Sequence, residues 1–245
     1  MLKKRIYNLK IEKLHESRLD YLKIPKKLIL PHRVDLRSKM PSIYDQGDLG
    51  SCTACALCGI VGYIDPVVKG SKLFVYYNTR LLANNVKYDT GASLEDGVAS
   101  LQKYGVCQEK LWSYDIKKFS ETPPQICYTK GLKNVALQVK NIRNDLNDMK
   151  SSLSNGWPFV VGIEVYSSFE TLYVAQTGNV PMPSRTDRYL GGHAVVCVGY
   201  DDTKKAFIMR NSWGAEWGIN GYFYLPYAYL TSNMASDLWN IQKMK

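Results

Sequence analysis

Histidines are scarce in this 245-residue sequence, which has three of them, and long apolar runs are lacking. No run approaches the roughly 18 apolar residues that a membrane-spanning helix needs, so we expect no membrane span. The first residues, MLKKRIYNLKIEKLHES, contain no apolar signal-peptide core, and we therefore expect no classical secretion. A non-secreted, cytoplasmic chain favours reduced thiols, although the six cysteines form an even number.

Most of the excess positive charge lies in one segment. The net charge is +10, but residues 1–30 contain nine Lys/Arg and three acidic residues, a net of +6, which leaves +4 for the rest. A remainder of +4 does not predict a nucleic-acid-binding domain. We therefore divide the chain into a basic N-terminal extension, residues 1–30, and a folded domain, residues 31–245.

Helical patterns dominate the first half of the domain and strand patterns the second. The run SCTACALCGIVGYI has small or apolar residues on every helical face, which predicts a fully buried helix with Ser51 as its N-cap. The predicted helices cover residues 51–64, 73–84, 93–104 and about 141–154, and the predicted strands cover residues 159–166, 194–200, 206–210 and 222–225. Helices followed by strands predict an α+β protein with two lobes.

One histidine lies well inside the folded domain. His15 belongs to the extension and His32 to the domain edge, whereas His193 follows two glycines at the start of a predicted strand. The polar turn at residues 201–205 is centred on the midpoint between His193 and Asn211. The two residues should therefore lie roughly opposite each other on antiparallel strands, where an amide can fix the tautomer and ring angle of an imidazole.

A candidate nucleophile stands at the start of the buried helix. Unpaired N–H groups and the helix dipole favour a thiolate at Cys52, and a protonated His193 nearby would favour it further. Cys55 and Cys58 lie deeper in the helix and are interpreted as packing thiols. Gln46 precedes Cys52 by six residues, so its amide could join the Cys52 N–H in binding an oxyanion, unless it is simply a surface glutamine.

Three segments resemble the papain/cathepsin family of cysteine peptidases. They are VDLRSKMPSIYDQGDLGSCTACA, GGHAVVCVGY and RNSWGAEWGINGYFYLP, they occur in the order found in that family, and the resemblance spans about residues 31–242. It implies a papain-like α+β fold of two lobes with the active site in the cleft between them. The helical lobe, about residues 36–140, would contain the buried central helix, and the β-barrel-like lobe would be about residues 141–245.

The resemblance also implies a role for each matching residue. The catalytic residues would be Cys52 as nucleophile, His193 as general base and acid, Asn211 as its orienting amide, and Gln46 in the oxyanion hole. Trp213 would cover the His–Asn pair, Gly91 and Gly192 would lie against the substrate backbone, and Ser93 would border a neighbouring pocket that either Asp237 or Ile241 faces. The implied function is peptide hydrolysis by a monomer, and the lack of a His-His pair favours an endopeptidase.

The sequence also departs from the family pattern. Thr53 follows the nucleophile where the family often has tryptophan, and Leu49 replaces a cysteine, so that a disulfide common in secreted members cannot form. The motif style is closer to bacterial and large-DNA-virus members, which leaves the cytoplasm or a virion as the expected location. The extension is short for an inhibitory propeptide. It is interpreted as an inhibitory segment over the cleft, as a solvated tail or packing arm, or as a binding segment for an acidic partner, a membrane or nucleic acid.

Three alternative functions remain. A catalytically silent relative would bind peptides, and a transferase would pass the same acyl group to an amine. The spacing of Cys52, Cys55 and Cys58 resembles part of a ferredoxin run, but no cysteine lies four residues further on and no proline follows. We therefore expect neither a metal site nor an organic cofactor.

Overall fold

The computed structural model describes residues 5–11, 20–21 and 29–245. The helices, α1 to α7 in chain order, are Cys52–Ile64, Lys72–Leu82, Leu94–Lys103, Gln125–Gly131, Leu146–Ser154, Leu172–Thr177 and Tyr227–Leu230. The strands, β1 to β7, are Arg33–Asp35, Ala136–Asn141, Phe159–Tyr166, Tyr189–Asp201, Ala206–Arg210, Tyr222–Pro226 and Ala235–Met244. Short 3-10 turns lie at Arg37–Lys39, Ile116–Lys118 and Ser167–Glu170. Within these described ranges, no helix is long and apolar enough to cross a membrane.

The buried central helix is present as predicted. Helix α1 is buried from its first residue to Gly62, and only its last two residues are partly exposed. Gly59 allows close packing on the sheet, since a Cβ there would lie 3.3 Å from Nε of Arg210. Ser51 occupies the N-cap position, but its side chain accepts no hydrogen bond from the first turn. Ser51 is thus the N-cap residue as predicted, but its hydroxyl hydrogen-bonds to the Tyr114 hydroxyl and not to helix α1.

The strands form one mostly buried sheet. Its order is β2-β7-β3-β4-β5-β6, with β1 paired to β4, and each of the pairs is antiparallel. The helix predicted over residues 141–154 begins later, at Leu146, because the Asp145 carboxylate accepts the backbone N–H groups of Asn147 and Asp148 and so caps the helix there. Asn141 instead ends strand β2 and pairs with Trp239 of β7.

Strand β4 separates the two principal cores and determines which way the site residues face. Ala194, Val196 and Val198 belong to the core shared with helices α1, α2 and α3. The alternate residues Val195 and Cys197 belong to the second core, built mainly from strands and α5. Because side chains alternate along a strand, His193 shares the second face while Ala194 faces helix α1. A strand buried on both faces explains the unbroken apolar run AVVCVGY.

Candidate active site

An amide and an imidazole meet at the ends of β4 and β5. Asn211 Oδ1 lies 2.8 Å from Nε2 of His193. The strand register pairs Val196 with Arg210 and Cys197 with Met209, so Asn211 follows the last pair of β5. The two residues are therefore diagonal neighbours, two residues from direct opposition, which agrees with the prediction that they lie roughly opposite each other. Diagonal neighbours on one face remain within reach of each other.

An aromatic wall shields this pair from water. The Trp213 ring stacks on His193, with centroids 4.9 Å apart and planes 24° from parallel. Phe169 and Trp217 make edge contacts behind Trp213, at 5.6 and 4.9 Å between ring centroids. Asn211 Oδ1 also accepts the backbone N–H of Ser212 at 2.8 Å, which fixes its carbonyl toward His193. The excluded water strengthens the hydrogen bond between His193 and Asn211.

The Cys52 thiol lies beside the histidine strand. Cys52 is the first residue of α1, and its sulfur is within hydrogen-bonding reach of the backbone N–H of Ala194, which follows His193. Cys52 and His193 are both 0% exposed. Burial raises the pKa of the Cys52 thiol, with the Ala194 N–H opposing it. Burial lowers the pKa of His193 to about 4, opposed by the Asn211 hydrogen bond and assisted by the charge of Arg5.

The covered site therefore favours a neutral thiol and a neutral imidazole over the expected thiolate–imidazolium pair. Burial opposes both charges, and it outweighs the N-terminus of α1 as a source of stabilisation for the Cys52 thiolate. The prediction of a thiolate does not hold for this closed arrangement.

Gln46 is buried, so the surface interpretation of this residue was wrong. Its Oε1 accepts the Ser212 hydroxyl at 2.7 Å and its Nε2 donates to the Leu49 carbonyl at 3.0 Å. The backbone N–H of Gln46 donates to the Ser212 carbonyl at 2.9 Å. An amide nitrogen has two hydrogens, so one remains for an oxyanion. Sequence reasoning missed Ser212, although its position directly after Asn211 was a usable signal.

A stretch of the extension covers these residues. We call residues 5–11 the cleft segment. Its backbone donates from Leu9 to the Gly192 carbonyl at 3.1 Å and from Lys10 to the Ala92 carbonyl at 3.2 Å. The Tyr7 ring lies edge-on against both His193 and Trp213, at centroid distances of 6.1 and 5.9 Å. The guanidinium of Arg5 lies 5.0 Å from the centroid of the Trp213 ring.

Two predicted substrate-binding glycines lie directly against this segment. A Cβ at Gly91, where φ is +72°, would lie 1.6 Å from the Asn8 carbonyl oxygen, and one at Gly192 would lie 2.7 Å from that of Leu9. A side chain at either position would exclude the segment. Ser93, by contrast, accepts the N–H of Asp96 and donates to its carboxylate, at 3.1 and 3.0 Å, and so caps helix α3.

The side chain of Leu9 occupies a recess beside the candidate catalytic residues. Leu9 is 6% exposed, and a Cβ added to Gly162 would lie 2.8 Å from its Cδ2. Gly162 pairs with Ser236 of β7, whose side chain lines the same recess. Ile241 packs in the helical core instead. Sequence reasoning missed Gly162 and Ser236 because strand β7 was not predicted and its register could not be fixed.

Comparison with known proteins identifies the family. The family model described as papain family cysteine protease matches residues 30–238. The chain belongs to the papain family of cysteine proteases. An uncharacterized peptidase C1-like protein of Acanthamoeba polyphaga mimivirus is 41% identical over 217 residues, covering 82% of this chain and 69% of the viral protein. Cathepsin B-like CP2 of Giardia intestinalis is 31% identical over 212 residues, covering 79% of this chain and 68% of that protein.

A solved structure supports the papain-like fold independently. Xylellain, a cysteine protease from Xylella fastidiosa, is 34% identical, covers 100% of both chains and superposes with a TM-score of 0.88. The α+β fold of the papain family and the assignment as an enzyme, both predicted from the sequence, are thereby confirmed.

The histidine of this papain-family protease should titrate differently once the extension is removed. In a Cys52→Ala variant, which cannot exchange a proton with the histidine, we expect His193 to titrate near pH 4 in the full chain. Removal of residues 1–30 exposes the ring and removes the Arg5 charge, so the pKa should rise toward 6.5. The closed form disfavours the imidazolium. The free energy that favours docking of the cleft segment is therefore fully present above about pH 6.5, and it decreases by up to about 3 kcal/mol as the pH falls to 4.

This titration is measurable by NMR of the imidazole signals. The chain has three histidines, so His15→Gln and His32→Gln variants assign the remaining signal. An identical His193 titration in both forms would contradict a role for the extension in lowering the pKa of that residue.

Proposed function

We propose that this protease hydrolyses peptide bonds with Cys52 as nucleophile, His193 as general base and acid, and Asn211 as the group that orients the imidazole. The observation that carries the proposal is the 2.8 Å contact between His193 and Asn211 beneath Trp213. This contact leaves Nδ1, which has no hydrogen-bond partner in the described structure, as the nitrogen available to exchange a proton with a thiol. Cys52 supplies that thiol beside the same strand.

The proposed reaction begins when the cleft segment leaves and the site opens, first to water and then to substrate. Access of water to the site relieves the burial that keeps the pair neutral, and a proton passes from Cys52 to His193. The thiolate attacks the substrate carbonyl carbon, and the resulting oxyanion accepts hydrogen bonds from the Gln46 amide and the Cys52 N–H. His193 protonates the leaving amine, which gives a thioester acyl-enzyme. It then takes a proton from water, which attacks the thioester and releases the acid and the thiol.

The path of the cleft segment supports an endopeptidase. Arg5 and Tyr7 contact Trp213, Tyr7 also contacts His193, and the Leu9 and Lys10 N–H groups donate to Gly192 and Ala92. A continuous chain thus passes the candidate catalytic residues with further residues on both sides. An exopeptidase needs one end of its cleft blocked, whereas the contacts of this segment with residues of the cleft extend from Arg5 to Lys10.

We further propose that the extension inhibits the enzyme by occupying the cleft. The backbone hydrogen bonds of Leu9 and Lys10 use the carbonyls of Gly192 and Ala92, which a bound substrate would otherwise reach. The Tyr7 hydroxyl donates to the Glu170 carboxylate and ties the segment to the strand-rich lobe. These contacts support inhibition over a solvated tail. The recognition of an acidic partner by the remaining lysines has no contact in its favour among the described residues.

The test is covalent labelling with a thiol-reactive epoxide. Full-length protein and a form lacking residues 1–30 are treated in parallel, and intact mass with peptide mapping locates the adduct. We expect one adduct on Cys52, formed much faster after truncation. Equal labelling of both forms would make the extension a tail. No adduct on Cys52 in either form would exclude an active peptidase and favour the silent peptide-binding alternative.

A further inference from the structure

Two groups from different stretches of the chain form the proposed oxyanion hole, and one tyrosine touches both stretches. The Tyr114 hydroxyl donates to the backbone carbonyl of Gln46 at 2.9 Å. The same oxygen hydrogen-bonds to the hydroxyl of Ser51, the residue before Cys52. We propose that Tyr114 is a positioning residue that sets the spacing between the Gln46 amide and the backbone N–H of Cys52. This inference rests on the proposed peptidase function.

Tyr114 is itself held from a third stretch of the chain. Its backbone N–H donates to Glu109 Oε1 at 2.8 Å, and Lys72 Nζ binds the other carboxylate oxygen at 2.9 Å. The Lys72 ammonium also lies 5.2 Å from the centroid of the Tyr114 ring. Tyr114 is thus held by Glu109 at its backbone N–H and by Lys72 at the face of its ring. Its hydroxyl is therefore a rigid link between Gln46 and Ser51.

The position of Ser51 shows that this link replaces an ordinary local interaction. A serine at a helix N-cap usually accepts a first-turn N–H, and losing that bond destabilises a helix. Ser51 makes no such bond, and its hydroxyl contacts Tyr114 instead. Burial raises the pKa of Tyr114, so its hydroxyl remains a donor to Gln46 at all working pH values. A departure from local preference beside a reactive group is expected at functional sites.

The remaining contacts of Gln46 leave Tyr114 a distinct task. Ser212 orients the Gln46 side chain and accepts its backbone N–H, and Leu49 accepts one amide hydrogen. These bonds fix the residue against the strand-rich lobe and its own loop. Tyr114 anchors the Gln46 backbone toward helix α1. It thereby sets the distance between the Gln46 amide and the Cys52 N–H, the two donors that the oxyanion would contact. A shift of about 1 Å in such a group lowers turnover by as much as about 10²-fold.

The test uses the full chain carrying Leu9→Asp, a substitution that we expect to open the cleft, with further substitutions added to that background. Tyr114→Phe removes one oxygen and keeps the ring and the Glu109 contact, so the fold is retained. We expect kcat for a peptide amide to fall about 10-fold or more with KM little changed. Binding of a peptide aldehyde, whose adduct forms an oxyanion, should weaken in parallel. The alkylation rate of Cys52 needs no oxyanion hole and should stay within about twofold.

Two further variants separate positioning from a merely structural role. Tyr77→Phe is the matched control, because it removes a hydroxyl that bonds Thr122 in the same lobe, at 2.9 Å, and we expect no change in kcat. Gln46→Ala should lower kcat by roughly 10²–10³-fold, and adding Tyr114→Phe to it should cost little more, since both act on one donor.

Three results would overturn the inference. They are an unchanged kcat in Tyr114→Phe, an equal loss in the Gln46→Ala background, and a parallel loss of alkylation rate. If Cys52 in the Leu9→Asp background alkylates rapidly but the protein does not turn over peptides, the proposed function fails and this inference fails with it. The two failures are therefore distinguishable.

Discussion

Replacement of Cys52 by alanine is expected to abolish peptide hydrolysis, with a loss on the order of 10⁴-fold or more in kcat/KM. In the described structure, Cys52 is the cysteine at the start of α1, and its thiol lies beside Ala194, the residue that follows His193 on strand β4. Without its sulfur no acyl-enzyme can form, and the remaining groups can only polarise a bound carbonyl. The measurement is steady-state hydrolysis of a peptide amide by protein lacking residues 1–30, with release of product checked by mass.

Cys55→Ala is the matched control for this prediction. Cys55 lies one turn further along the same helix and is likewise buried. Its side chain hydrogen-bonds to Ser51, which is not a proposed catalytic group, and burial raises the pKa of its thiol to about 12, so it remains a thiol at neutral pH. Turnover should survive in Cys55→Ala. Residual hydrolysis at the wild-type rate in Cys52→Ala would assign the nucleophile elsewhere.

The parts of the fold that sequence reasoning predicted best are those fixed by local pattern. Strands β3 and β5 begin and end at the predicted residues, since both are β-branched or aromatic runs bounded by turns. Helix α3, Leu94–Lys103, lies within the predicted range 93–104 and is capped by Ser93. The strand Ala136–Asn141 was missed because only four of its residues, LQVK, alternate between apolar and polar, and it has one β-branched residue and no aromatic one. Pairing with β7, more than ninety residues away, forms it instead.

The candidate site, like the fold, was predictable from the sequence only in part. Residue types at fixed spacing identified Cys52, His193 and Asn211, and their geometry agrees with the proposed roles. The protonation state of the pair was not predictable, because it depends on burial beneath a segment more than forty residues away along the sequence. The role of Tyr114 was also invisible, since the loop after α3 reaches Gln46 and Ser51 only through tertiary packing.

Opening the cleft by a single substitution in the extension is the second large effect that we expect. Leu9→Asp removes a nearly buried leucine, whose burial contributes about 1.5–3 kcal/mol, from the recess beside Gly162. It also places a carboxylate in that recess at a further cost of several kcal/mol. At 1.4 kcal/mol for each tenfold change, the open fraction should rise roughly 10³-fold. The rate at which a thiol-reactive epoxide alkylates Cys52 in the full chain measures that fraction.

Leu137→Asp provides the matched control, because Leu137 is 50% exposed on strand β2, away from the cleft. The same change of charge and volume there should leave the alkylation rate at the wild-type value. Equal rates for Leu9→Asp and Leu137→Asp would mean that docking of the cleft segment does not limit access to Cys52, and inhibition by the extension would have to be abandoned. A faster rate for Leu9→Asp alone, close to that of protein lacking residues 1–30, would locate most of the docking free energy in one side chain. Release of that side chain would then be the step that any activating event must achieve, whether cleavage of the extension, a fall in pH or competition by substrate.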